Sequence, residues 1–180
     1  AIDDAIAEGA HSGSISSVVT SSDANYQGFA VAPIAIDVTD NDNAGVVLVQ
    51  SGGNTAVTEG GATDSYTLVL SSQPTANVSI ALSGSQVTPS PTPIVFTTAN
   101  WNTPQTVTVT AIDDAIAEGA HSGSITAVVT SSDAGYNGQS IAPLSVSITD
   151  NDNIGIALVQ SGGNTAVAEG GATDSYTLVL

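Results

Sequence analysis

The chain has 180 residues, of which 17 are acidic and none is Lys or Arg, so its formal net charge is −17. Nucleic acids and anionic membrane surfaces are bound through basic side chains, and this composition therefore argues against both as partners. The lack of Cys excludes disulfides and thiolate metal sites, and no apolar run approaches the roughly 20 residues of a membrane span.

A tandem repeat organises the chain. When the sequence is shifted by 110 positions, 54 of the 70 overlapping residues are identical. A period of about 100 residues is typical of a complete sandwich domain, so each repeat is expected to have its own core. The predicted domains are the C-terminal part of one repeat (1–40), a complete repeat (41–150) and the N-terminal part of the next (151–180). Both flanking parts lack counterparts of residues 71–110, and we expect neighbouring repeats of a continuous array to supply the missing strands.

Short strands are predicted along the complete repeat, where apolar residues alternate with Ser, Thr and Asn. In chain order the seven predicted strands are 45–50, 66–70, 78–82, 94–98, 106–111, 125–129 and 144–148. Segments rich in Gly, Pro and Asn separate them, as turns require. About seven strands in 110 residues predict an all-β fold, an antiparallel β-sandwich. The residues expected to serve packing or turns are Tyr66, Phe96, Trp101, Tyr136, His11 and His121.

Twelve of the 17 acidic residues lie in three short motifs, "IDDAIAE", "TDND" and "EGG", each of which occurs twice. These residues are Asp3, Asp4, Glu8, Asp40, Asp42, Glu59, Asp113, Asp114, Glu118, Asp150, Asp152 and Glu169. Each motif follows or precedes a predicted strand, and loops at one end of a sandwich cluster. Gathered carboxylates repel one another and require a cation. Many hard oxygen ligands favour Ca²⁺ over Mg²⁺, which demands stricter geometry. The alternative is that the acidic residues only cap turns and keep the surface soluble.

The complete repeat resembles the Calx-beta domain family over residues 41–153. The resemblance lies in "IDDAIAE" (112–118), "TDNDNIG" (149–155) and "VTEG" (57–60). It implies an immunoglobulin-like sandwich whose distal loops bind calcium. The ligands that it implies for the complete repeat are Glu59, Asp113, Asp114, Glu118, Asp150 and Asp152. Two residues depart from the family pattern, because Asn151 replaces an acidic residue and His121 stands where a further acidic residue is common. One or two ions per junction are therefore expected.

The segment "NWNTPQTVTVTAIDD" is also similar to tandem modules of large bacterial surface proteins and adhesins. This similarity implies an extracellular, cell-surface location, where millimolar calcium saturates weak sites. The leading hypothesis is a calcium-rigidified structural repeat of an extracellular array, either an adhesin stalk or a surface filament. Its partners would be neighbouring repeats or identical chains in a filament. The alternative is a calcium-sensing regulatory module. An enzyme or glycan-binding domain is not expected, because no G-x-S-x-G motif occurs and aromatic residues make up only 4% of the chain.

Overall fold

The computed structural model describes all 180 residues and contains thirteen β-strands, two short 3-10 turns and no α-helix. In chain order the strands are β1 (His11–Ile15), β2 (Ile34–Val38), β3 (Val46–Gln50), β4 (Thr55–Thr58), β5 (Asp64–Leu70), β6 (Val78–Ser85), β7 (Val87–Ser90), β8 (Ile94–Phe96), β9 (Gln105–Ala111), β10 (His121–Ser131), β11 (Leu144–Thr149), β12 (Ala157–Gln160) and β13 (Tyr176–Val179). No helix in the structure is long and apolar enough to cross a membrane.

Strands β3 to β11 form a two-sheet sandwich. One sheet has the order β3-β5-β9-β7 and the other has the order β4-β11-β10-β6-β8. All neighbouring strands are antiparallel except β4 and β11, which are parallel. The order β3-β5-β9-β7 corresponds to the ABED sheet of an immunoglobulin-like sandwich, and the order β11-β10-β6 corresponds to its GFC sheet. The 3-10 turn Ser51–Gly53 moves the chain from the first sheet to the second. The prediction of an all-β sandwich is confirmed.

The sandwich has two strands that the sequence pattern does not indicate. Strand β4 is short and lies between glycine-rich segments, which read as continuous turn, although Thr55 and Val57 alternate inward and are buried. Strand β7 contains Pro89, which argues against a strand because proline cannot donate a backbone hydrogen bond. It is tolerated because β7 is the edge strand of its sheet and pairs only with β9.

The core lies between the two sheets and consists of 19 buried apolar residues. Strand β9 illustrates the alternation, since Val107 and Val109 are fully buried and the threonines next to them are exposed. Tyr66, Phe96 and Tyr136 are also buried, as predicted for packing residues, and Trp101 packs against the same core. The Tyr136 hydroxyl donates to the carbonyl oxygen of Ser72 at 2.6 Å and accepts from its backbone N–H at 3.1 Å. This contact fixes the loop end opposite the acidic motifs.

The two flanking segments repeat the strand pairing of the sandwich. Strands β1 and β2 pair with the register of β10 and β11, and β12 and β13 pair with the register of β3 and β5. Residues that are buried in the sandwich have exposed counterparts in these segments. Tyr66, for example, is 2% exposed, and its counterpart Tyr176 is 58% exposed. The local pairing is therefore encoded within each segment, whereas burial requires the opposite sheet.

Candidate metal centre

Strand pairing brings three acidic motifs to one end of the sandwich. Strands β4 and β11 run parallel and end side by side, with Thr58 opposite Thr149. The residues that follow each strand are consequently neighbours, and the backbone N–H of Glu59 donates to the carbonyl oxygen of Thr149 at 3.0 Å. Strand β10 begins beside the end of β11, with His121 opposite Ile148. The loop 112–120, which carries "IDDAIAE", precedes β10 and so reaches the same end.

Glu59 is the centre of the cluster. Its side chain is only 3% exposed, and its Oε2 atom has no hydrogen-bond partner. Burial is the main cause of the raised pKa of Glu59, and the negative charges of Asp150, Asp114 and Glu118 raise it further. A buried carboxylate oxygen without a hydrogen-bond partner is unfavourable, because it has lost water without gaining a compensating hydrogen bond. The surroundings of Glu59 therefore favour a bound cation.

Asp150 and Asp152 complete a group of three carboxylates. One oxygen from each of them and from Glu59 lies within 4.8 Å of the others. Asp150 also holds the loops in place, since it accepts hydrogen bonds from the backbone N–H groups of Asp152 at 2.8 Å and Gly119 at 2.6 Å. These two hydrogen bonds lower the pKa of Asp150. Asp152 is half-buried, and its Oδ2 atom has no hydrogen-bond partner.

Asp113 and Asp114 border this group. An Oδ1 atom of Asp113 accepts from the Asn151 side-chain amide at 3.1 Å. Gly60 lies close to Asn151 and Asp113, because a Cβ atom on Gly60 would lie 3.0 Å from Asn151 Nδ2 and 3.2 Å from Asp113 Oδ1. Its φ of 58° is also a conformation that favours glycine. Asp114 accepts from the backbone N–H of Ile116 at 2.7 Å, which shapes the loop.

Glu118 and His121 form the other side of the cluster. His121 Nε2 lies 3.4 Å from Glu118 Oε2 and 3.5 Å from Glu59 Oε1. The sequence pattern predicts a packing or turn role for His121, and this prediction misses its position between two carboxylates. The available signal was its spacing of three residues from Glu118 at the start of a strand, which recurs as Glu8 and His11.

The N-terminal segment repeats much of this arrangement. One cleft is lined by five of the residues predicted as ligands, namely Asp3, Asp4, Glu8, Asp40 and Asp42. Asp40 accepts from the backbone N–H groups of Gly9 at 2.7 Å and Asp42 at 3.1 Å, as Asp150 does in the complete repeat. Burial, followed by the charges of Asp40, Asp3 and Asp4, raises the pKa of Asp42. The "IDDAIAE" and "TDND" motifs of the N-terminal segment therefore fold like those of the complete repeat.

Glu169 is placed apart from the other predicted ligands. It is exposed, and it lies in a turn closed by hydrogen bonds between Ala168 and both Ala172 and Gly171. The same bonds close the turn that holds Glu59. Residues 165–168, however, do not form a strand equivalent to β4, and no second motif lies beside Glu169.

The remaining carboxylates of the sandwich serve its loops. Asp64 accepts hydrogen bonds from the Ser51 hydroxyl, the Ala56 N–H and the Ser65 N–H, and these bonds lower its pKa. Burial opposes the ionisation of Asp133, but hydrogen bonds from Thr75 and Gly135 outweigh it, so that the pKa is lowered. Asp64 and Asp133 therefore have structural roles, because hydrogen bonds from neighbouring residues occupy their carboxylates.

No family model and no curated protein matches the chain. Among solved structures, the chain is similar to the apo form of a Calx CBD1 domain, at 16% sequence identity and a TM-score of 0.39. The match covers 59% of this chain and 98% of that chain.

Proposed function

We propose that the chain is a structural repeat of an extracellular array, that calcium bound at the carboxylate clusters makes the array rigid, and that the chain is not an enzyme. The observation that carries this proposal is the burial of Glu59, whose Oε2 atom has no partner beside Asp150 and Asp152. Such an arrangement is unfavourable without a cation.

The donor set fits calcium. Glu59, Asp150 and Asp152 each offer a carboxylate oxygen within 4.8 Å of the others, and the Glu59 Oε2 and Asp152 Oδ2 atoms have no hydrogen-bond partner. Ca²⁺ takes six to eight oxygen ligands in flexible geometry, and Asp113 and Asp114 border the group. These five residues would hold the ion. When bound, the ion would supply the positive charge that the chain lacks, since it contains no Lys or Arg.

Features of the two flanking segments support the proposal of an array. They carry the strand registers of the complete repeat, and they expose apolar residues whose counterparts are buried there. Neighbouring repeats, or identical chains in a filament, are the partners that would cover these residues. An ordinary surface would not carry the apolar residues of a sandwich core in the same register.

One contact joins the acidic loop of the N-terminal segment to the complete repeat. The backbone N–H of Gln73 donates to the carbonyl oxygen of Ala5 at 2.6 Å. Ala5 lies between Asp4 and Glu8, which line the N-terminal acidic cleft. A cation held in that cleft would restrain the loop that contacts the following repeat, and this is how calcium would stiffen the junction.

The calcium proposal is tested by thermal unfolding of the chain in excess calcium and in excess chelator. A ligand at 100 times its dissociation constant adds about 2.7 kcal/mol of stability per site. For a domain of this size, that corresponds to a rise in the melting temperature of roughly 10–20 °C. Equal melting temperatures in the two solutions would contradict calcium binding.

The structural role is tested on three consecutive copies of residues 41–150 by small-angle X-ray scattering. We expect calcium to increase the maximum dimension and to reduce its spread relative to chelator. If calcium raises the melting temperature but leaves the dimension unchanged, the ion does not make the array rigid. A regulatory calcium-sensing role would then be the better explanation.

A further inference from the structure

His121 is held with its two ring nitrogens in different surroundings. Nδ1 lies 2.9 Å from the carbonyl oxygen of Gly119, and a carbonyl oxygen can only accept a hydrogen bond. Nδ1 therefore carries the hydrogen atom, and in the neutral ring the lone pair is on Nε2. This lone pair faces the carboxylates of Glu118 and Glu59, at 3.4 Å and 3.5 Å. Three electron-rich atoms facing one another require a positive species between them.

A proton on Nε2 occupies this position when the imidazole is charged, but its hydrogen bonds to the two carboxylates would be long. An N–H···O hydrogen bond has a donor–acceptor distance of about 2.7–3.2 Å, and both distances from Nε2 exceed this range. A tetrahedral Zn²⁺ ion has ligands at about 2.0–2.1 Å, which places neighbouring ligand atoms about 3.3–3.4 Å apart. The observed distances of 3.4 Å and 3.5 Å are close to this value. The spacing thus suits a shared metal ion.

The types of ligand indicate which metal this would be. An imidazole nitrogen is a poor ligand for Ca²⁺ and a common one for Zn²⁺ and other first-row transition ions. The hydrogen bond from Nδ1 to a backbone carbonyl is the outer contact that orients most metal-binding histidines. Glu59 adds an independent observation, because its side chain is only 3% exposed and its Oε2 atom has no hydrogen-bond partner.

We propose that Glu59, Glu118 and His121 form a binding site for a transition-metal dication of the Zn²⁺ type, with His121 as the nitrogen ligand. The site shares Glu59 with the calcium group of Glu59, Asp150 and Asp152. It rests on the proposed function only through that shared residue, and zinc binding is measurable in the absence of calcium. The cluster then has two faces that differ in their preference for cations.

The N-terminal segment provides a matched control. His11 has the same contact to a backbone carbonyl, with Nδ1 3.0 Å from the Gly9 oxygen. Its Nε2 atom lies 3.7 Å from Glu8 Oε2, but no third ligand completes a group of three there. His11→Asn therefore removes the same side chain from the same local sequence without removing the proposed site.

The test is calorimetric titration of ZnCl₂ into the metal-free chain, with no calcium present. We expect the wild type and His11→Asn to bind one Zn²⁺ ion with equal affinity, and His121→Asn to bind at least tenfold more weakly. Calcium should still raise the melting temperature of His121→Asn. Equal zinc affinity in all three proteins would mean that carboxylates alone attract the ion, and would overturn the inference without affecting the calcium proposal.

Nitrogen-15 NMR gives a second measurement that does not depend on the folding of a variant. The chain has only two histidines, so their ring nitrogens are readily distinguished. One equivalent of Zn²⁺ should shift the Nε2 resonance of His121 and leave that of His11 unchanged. If the wild type binds no zinc, or if neither resonance shifts, the inference is wrong.

Discussion

Replacing Glu59 by Gln should separate the two effects of its carboxylate. The substitution keeps the size of the side chain and removes its charge. In chelator, the variant should be at least as stable as the wild type, because the side chain is buried among Asp150, Asp114 and Glu118. In calcium, it should lose most of the stabilisation, because one of the three grouped carboxylates is gone.

The expected size of the loss follows from mass action. At a calcium concentration 100 times the wild-type dissociation constant, stabilisation grows with the logarithm of that ratio. If Glu59→Gln weakens binding about a hundredfold, the variant retains only about one seventh of the wild-type shift in melting temperature. A wild-type shift of roughly 10–20 °C would fall to about 1.5–3 °C.

The measurement is a melting curve for each protein in calcium and in chelator, with Asp37→Asn as the control. Asp37 is an exposed residue of β2 outside the clusters, so its substitution also removes one charge. The control should keep the full calcium shift. The reasoning would be refuted if Glu59→Gln kept the full shift, or if both variants lost equal parts of it, since the latter indicates diffuse attraction of counterions.

Three further predictions concern pH, the core and the close approach at Gly60. In chelator, the raised pKa values of Glu59 and His121 mean that the folded state favours their protonated forms. Their contribution to stability is therefore present below their unfolded pKa values of 4.5 and 6.5, and it is lost as the pH rises through the folded pKa values. The melting temperature should rise as the pH falls from 7 toward 4.5, and it should rise less in Glu59→Gln. Phe96→Ala removes a fully buried ring and should lower the free energy of unfolding by about 3–5 kcal/mol, as measured by denaturant titration with the fluorescence of the single Trp. Gly60→Ala places a Cβ atom 3.2 Å from Asp113 Oδ1 at a φ of 58°, and should cost about 1–2 kcal/mol in chelator and also reduce the calcium shift in melting curves.

The sequence predicts most of the fold because alternation is a local signal. Strands such as β5 and β9 bury every second residue, and this pattern is visible without any partner strand. Strands β4 and β7 are not predicted from the sequence, because they lack such a local signal. Their identity depends on pairing with β11 and β9, which lie far along the chain, and their own residues read as turn because of Gly and Pro.

The site is predictable in its members and less so in its arrangement. Repetition of the acidic motifs selects Glu59, Asp150 and Asp152, which the structure places in one group. Nothing in the sequence indicates that Glu59 is buried, since this follows from the parallel pairing of β4 with β11. The direction of the His121 ring is equally hidden, because the carbonyl oxygen of Gly119 sets it.

The pairing of β4 with β11 also explains why a cation at this site would affect more than one unit. Strand β4 lies near the start of the repeat and β11 is its last strand, so Glu59 and Asp150 join its two ends. Asp152 stands in the segment that leads from β11 to β12, where the next repeat begins. A cation held by these carboxylates would close the sandwich and, at the same time, restrain the segment that leaves it. Without the cation, mutual repulsion of the carboxylates would act on the same two places, so loss of stability within a repeat and loss of stiffness between repeats should occur together.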